Sequence, residues 1–227
     1  MNSHTAFVAA MIAAGMFVLL LGTFYFGNFR RQKPALWRYV ADIDRAGAMI
    51  RRKEYDEAEA LLAPLASKSD APLHIYQLRA AIAQHKGDWV VAARHWKAAR
   101  RYFPDDALGF AGGARVLLRA GRRAEAVRML EGARSRVHNP SQLTKVLAEA
   151  AQSAGDWAEG ARLWEQVRNE AAGDIDSYVR GHDCLLAAGR PDEAAAVLAD
   201  GAMRFPRDPQ IVRAVAAAAP PGAPGPA

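Results

Sequence analysis

Arg115 and Arg119 are the pair in this chain whose type and spacing most suggest a binding site. Residues four apart share one face of a helix. Two forked guanidiniums side by side suit a carboxylate or a phosphate. The other chemistry-bearing residues form no comparable group. His74 and His85 lie eleven apart and His85 and His95 ten apart, with no carboxylate joining either pair at metal-ligand spacing. Cys184, the single cysteine, stands beside Leu185 and Leu186 and reads as a small core residue. One cysteine excludes an intramolecular disulfide and a multi-cysteine zinc site. There is no Gly-rich phosphate loop, no His-Glu-x-x-His and no Gly-x-Ser-x-Gly. The expectation is recognition without reaction: no catalytic residue, no cofactor and no metal.

The elements that would position these residues announce themselves by a period. Gly87-Asp88-Trp89, Gly121-Arg122-Arg123, Gly155-Asp156-Trp157 and Gly189-Arg190-Pro191 recur every 34 residues, and one further step back lands on Lys53-Glu54-Tyr55. Five residues after each site comes a small residue: Ala58, Ala92, Ala126, Gly160 and Ala194. Four further on comes a large apolar one: Leu62, Trp96, Leu130, Trp164 and Leu198. Seven residues before each site stand Ala46, Ala80, Ala114, Ala148 and, once, His182. Small side chains at fixed points let two helices approach, and the large one fills the gap between neighbouring pairs. Glycine supplies the turn that ends one helix and begins the next. Each unit is therefore a helical hairpin that must stack on its neighbours to bury its apolar face.

This pattern resembles the tetratricopeptide repeat family, most closely over Tyr76…Ala80…Gly87-Asp88-Trp89…Ala92…Trp96…Ala99…Pro104. The register gives five units, 39–72, 73–106, 107–140, 141–174 and 175–208, followed by a capping helix over 209–218 and a Pro/Gly-rich tail over 219–227 read as disordered. The fold implied is all-α: a right-handed superhelix of five tetratricopeptide-like hairpins preceded by one transmembrane helix. Trp89, Trp96, Trp157 and Trp164 take consensus positions and are expected in the core, and Pro191 opens a helix, where its missing N–H costs little. The resemblance further implies that the first helix of each hairpin lines a concave groove that holds peptides. Its outward positions are the second, fifth, ninth, twelfth and thirteenth of each unit, and their polar occupants include Arg51, His74, Gln77, Gln84, His85, Arg115, Arg119, Lys145, Glu149, Gln152, Asp176 and Asp183. Chaperone-binding members clamp a C-terminal carboxylate with Lys and Asn. The ninth positions here are Gly47, Ala81, Arg115, Glu149 and Asp183, which argues against such a clamp.

Charge is distributed unevenly over the 227 residues, whose formal net charge is +6. The five units carry −2, +3, +5, −3 and −2 in order, a basic middle between acidic ends. A partner with an acidic segment would be held centrally, unless the arginines of unit three (Arg122, Arg123, Arg128, Arg134, Arg136) are only a solvated outer face. Nucleic acid is not expected, because no exposed aromatics interleave with the basic stretch.

Ahead of the repeats, a five-residue tail (1–5) leads into Ala6–Phe26, which has 21 residues and no charge, enough to cross a bilayer as a helix. A cleaved signal peptide would have a basic start, a shorter apolar core and a small-residue cleavage site. The linker 27–38 carries Arg30, Arg31, Lys33 and Arg38 and no acid, so these cations would face the cytoplasm and touch anionic lipid. The reading is a single-pass protein of a bacterial inner membrane with its repeats in the cytoplasm. It is a non-enzymatic scaffold that binds protein partners in assembly or export of an envelope component. Alternatives are a periplasm-facing assembly or polysaccharide-handling protein, and a regulatory subunit of a membrane enzyme.

Overall fold

The computed structural model describes residues 37–218. The segment expected to span a membrane (6–26), the cations Arg30, Arg31 and Lys33, and the tail over 219–227 lie outside the described residues. Among the described residues no helix is long and apolar enough to cross a membrane. They form eleven helices and no strand: α1 (37–51), α2 (Tyr55–Ala66), α3 (Leu73–His85), α4 (Trp89–Tyr102), α5 (Ala107–Arg119), α6 (Arg123–Ala133), α7 (Ser141–Ser153), α8 (Trp157–Glu170), α9 (Ile175–Ala187), α10 (Pro191–Arg204) and α11 (Pro209–Ala218). From α3 onward, alternate helices start at Leu73, Ala107, Ser141, Ile175 and Pro209, a constant step of 34.

One turn geometry produces that step. Gly87, Gly121, Gly155 and Gly189 have φ of +77°, +73°, +74° and +74°. In each turn the following N–H reaches back to a carbonyl of the finished helix. Asp88 donates to Ala83 O at 2.8 Å, Arg122 to Leu117 O at 2.8 Å, Asp156 to Ala151 O at 3.0 Å and Arg190 to Leu185 O at 2.9 Å. This left-handed cap satisfies carbonyls that would otherwise be orphaned. Lys53 occupies the same place after α1 with φ +65°, and Glu54 N donates to Met49 O at 3.0 Å. The geometry is kept there without glycine, at the cost of a side chain in the left-handed region.

The chain divides into two compact units, Met1–Asp88 and Trp89–Ala227. In the first, Tyr39, Ala46, Ala58, Leu62, Ile75 and Ala80 are fully buried. The Tyr39 hydroxyl donates to Asp70 Oδ1 at 2.7 Å, and that of Tyr76 to Ala66 O at 3.1 Å. Arg79 on α3 donates through Nε to Glu59 of α2 at 2.9 Å, a partly buried pair that joins the two helices.

In the second unit each helix packs on the next, and α5 also touches α7 while α9 touches α11. Its core includes Leu130, Leu143, Val146, Trp164, Cys184 and Ala194. Trp96 and Trp164 are buried, whereas Trp157 is 38% exposed and Trp89 half-buried. The expectation that all four tryptophans belong to the core is corrected for Trp157. It is the first residue of α8, so no earlier turn of its own helix covers it.

Close contacts in this unit depend on glycine. A Cβ on Gly112 would fall within the Trp96 indole, and one on Gly113 or Gly181 would collide with the guanidinium of Arg100 or Arg168. Those arginines occupy the same position in units two and four. Arg100 donates to Gly109 O at 3.1 Å and lies over Phe110, and Arg168 donates to Ser177 O at 2.7 Å and lies over Tyr178. Desolvation lowers both guanidinium pKa values, though an arginine stays charged throughout. Arg134, the equivalent in unit three, has no glycine to lie over and pairs instead with Glu170 at 2.9 Å, whose other oxygen accepts from Thr144.

Two substitutions test these constraints. Lys53→Gly relieves a left-handed side chain and is expected to raise unfolding free energy by about 1 kcal/mol in a urea titration. Gly112→Ala gains about 1 kcal/mol of helix propensity. It is nevertheless expected to destabilise by about 1–2 kcal/mol net, because a Cβ inside the Trp96 ring puts the overpacking cost toward the upper end of about 1–3 kcal/mol. A Gly112→Ala protein as stable as its parent would contradict the packing described.

Candidate functional site

The first helices of the second unit, α5, α7, α9 and α11, form one layer. In that layer α5 meets α7 and α9 meets α11, and the second helices α4, α6, α8 and α10 lie on the other side. This layer carries the first-helix positions expected to line the groove. Its outward side chains are the candidate partner-binding face.

The centre of this face is largely self-satisfied. Arg115 forks onto Glu149, with Nε to Oε2 at 3.0 Å and Nη2 to Oε1 at 3.2 Å. These are ninth-position residues of successive hairpins, 34 apart in sequence. Arg119 does not join them, and its guanidinium lies 5.3 Å from the Trp89 ring centroid. Lys145, half-buried, reaches Asp174 Oδ2 at 2.8 Å and Asp176 Oδ2 at 2.7 Å. Burial pulls the Lys145 pKa down, but the hydrogen bonds it donates to both carboxylates overcome it and leave the value raised. In return the hydrogen bond from Lys145 holds Asp176 below the usual carboxylate range. Gln152 carries a buried Oε1 with no hydrogen-bond partner. Four of the expected groove residues thus come together as two ionic links, Arg115 with Glu149 and Lys145 with the aspartates at the start of α9.

In the first unit, His74 is exposed on α3, Gln77 and Gln84 are half-buried, and Arg51 is exposed at the end of α1. His85 stacks on Tyr55, with ring centroids 5.4 Å apart and 12° between planes. Arg38, in the first turn of α1, lies 3.6 Å from Asp70.

The open part of the second unit's face lies at its far end. A cleft of about 600 Å³ runs between α9 and α11, lined by Val179, His182, Asp183, Leu186, Gln210, Arg213 and Ala217 among others. Leu186 is 48% exposed there. His182 is buried, with Nδ1 3.1 Å from Asp183 Oδ1, and Arg213 Nε donates to Pro209 O at 2.9 Å. Sequence reasoning that weighed only polar occupants passed over Val179 and Leu186, although both stand at outward positions of the fifth unit. Carrying the 34-residue count into 209–218 would have placed Gln210, Arg213 and Ala217 at the same positions of a sixth first helix. Among the described residues no three His, Cys, Asp or Glu side chains are grouped to hold a metal ion.

The ionic links fix a pH dependence. The folded pKa of Asp176 lies below its ordinary 3.8, so its contribution is complete above that value and is lost as pH falls through the depressed one. Lys145 is the mirror case: its contribution is complete below its ordinary 10.5 and is lost as pH rises through the raised value. Lys145→Met is expected to be less stable at neutral pH. It should also lose less stability than the parent between about pH 5 and pH 2 in urea titrations. Equal acid slopes would reject the link.

Residues 151–218 match the family model described as tetratricopeptide repeat. No curated protein sequence is significantly similar to the chain. Solved structures with the same fold include MamA protein, with a TM-score of 0.54 at 12% identity over 74% of this chain and 91% of that one. A second is YrrB, entitled a TPR protein with an unusual peptide-binding site, with a TM-score of 0.50 at 14% identity over 82% of this chain and 97% of that one. A third is a tetratricopeptide repeat protein from Parabacteroides merdae, with a TM-score of 0.55 at 12% identity over 82% of each chain. At these identities the likeness is one of fold, and the described chain has the tetratricopeptide-repeat fold.

Proposed function

We propose that this chain is a non-enzymatic scaffold that holds a protein partner on the concave face of its second unit. The reading extends to a membrane-anchored protein, with 6–26 as the anchor, repeats on the cytoplasmic side, and a role in assembly or export of a bacterial envelope component. The observation that carries it is the open cleft between α9 and α11. There Leu186 and Val179 offer apolar surface to an extended segment, and Asp183 and Arg213 offer charge on opposite walls. The peptide-binding site named for YrrB supports a peptide as the kind of ligand.

The centre of the face contributes in a second way. An exposed ion pair such as Arg115–Glu149 is worth about 0.2–1 kcal/mol, so a partner carboxylate can displace Glu149 at little cost. Arg119 is open to the same segment once its stacking on Trp89 is given up. An acidic stretch of the partner therefore lies over α5, with an apolar side chain of the same partner in the α9–α11 cleft.

Extraction of the full chain in mild detergent should recover a reproducible partner. Leu186→Asp combined with Ala217→Asp, both at exposed positions, should cut that recovery about tenfold or more while the helical melt stays unchanged. Undiminished capture would reject the cleft. An alkaline phosphatase fused after Pro226 is expected to be inactive, and enzymatic activity of that fusion would place the repeats outside the cytoplasm.

A further inference from the structure

The outer face of α4 carries a stripe of positive charge that the partner-binding reading does not use. Val90, Arg94, Lys97 and Arg101 are spaced by four, three and four residues, so they run along one side of the helix, and all are exposed. The helix holds four Lys and Arg residues and no acid; only Arg100 turns inward. Arg94 and Lys97 have no ion-pair partner among the described residues, and Arg101 lies over Tyr102, itself 59% exposed. Arg162 on the equivalent helix α8, and Arg190 just before α10 and Arg204 at its end, are each paired with a carboxylate three or four residues away. Like charges at such spacing repel one another within a helix. With no carboxylate on α4 itself, anions from outside the chain would relieve the repulsion along this stripe.

We propose that this face of α4 rests on an anionic bilayer surface. The 600 Å³ cleft lies beside α9 and α11, away from this face. Arg and Lys on long flexible stems suit a fluid array of lipid phosphates, while Val90, 64% exposed, and Tyr102 provide apolar groups for the interfacial region. The uncharged stretch 6–26 and the cations at 30, 31, 33 and 38 stand ahead of this unit in the sequence, and a tether there would raise the effective concentration of the face at the bilayer. Each cation near an anionic surface strengthens attraction about fivefold, so three together contribute about a hundredfold. The proposal goes beyond partner binding and is independent of it: loss of capture at α9–α11 would leave it standing.

The test uses the full chain in lipid nanodiscs, with Cys184→Ala as background and a fluorophore on Ala93→Cys beside the stripe. Spin-labelled lipids are the quencher, and a second label on Met203→Cys of α10, 76% exposed in the parent, is the control. In discs containing half phosphatidylglycerol, the Ala93 label should be quenched at about 50 mM salt and released at about 500 mM, where the Debye length is several-fold shorter. Quenching should fall to the level of the Met203 control in Arg94→Glu, Lys97→Glu, Arg101→Glu combined, with an unchanged helical spectrum. Equal quenching in purely zwitterionic discs, or none in either, would overturn the proposal. So would a label indifferent to lipid but responsive to added polyglutamate peptide, which would mark an acidic protein as the ligand.

Discussion

Trp96 and Gly112 occupy complementary space, and the second unit depends on contacts of that kind. Helix α5 contains Gly109, Gly112 and Gly113, a sequence that on propensity alone is about 3 kcal/mol poorer than alanine at the same places. The deficit is offset because α4 can then approach closely enough to bury an indole and to bring Arg100 within reach of a main-chain carbonyl. Gly181 lets Arg168 do the same one hairpin pair later. Where Leu147 replaces glycine, the arginine turns aside to Glu170, and the contact becomes ionic.

The fold was legible because its turn allows few alternatives. A left-handed residue must recur wherever a hairpin closes, and glycine is the side chain that meets this at least cost, so the period stands out in the sequence. Even the departure at Lys53 falls on the register, one step of 34 before Gly87, and keeps its left-handed φ. Side-chain environment was less legible. Trp89 and Trp157 share consensus positions with each other but not the burial of Trp96 and Trp164, because each begins its helix. The site was legible in part. Counting charge by unit made the middle look basic and available, but Arg115 faces Glu149 across the boundary between two units. Pairs that cross a unit boundary vanish from a sum taken within units.

Arginine serves three purposes here, and composition cannot separate them. Arg100 and Arg168 are half-buried struts that each bond a main-chain carbonyl and lie over an aromatic ring. Arg115, Arg134 and Lys145 tie successive hairpins through carboxylates. Arg94, Lys97 and Arg101 stand outward without a partner acid among the described residues. In a stack whose repeats touch only their neighbours, the first two groups act as interface terms, so their effect is to couple hairpins that would otherwise melt singly.

The Arg115–Glu149 fork has a geometric meaning as well. Its two ends occupy identical places in consecutive hairpins, so its length follows the pitch of the first-helix layer at that point. Bending the stack closed shortens the gap, and flattening it pulls the fork apart. The pair is thus a built-in strain gauge for curvature, and a ligand that reshapes this surface must first write its effect there.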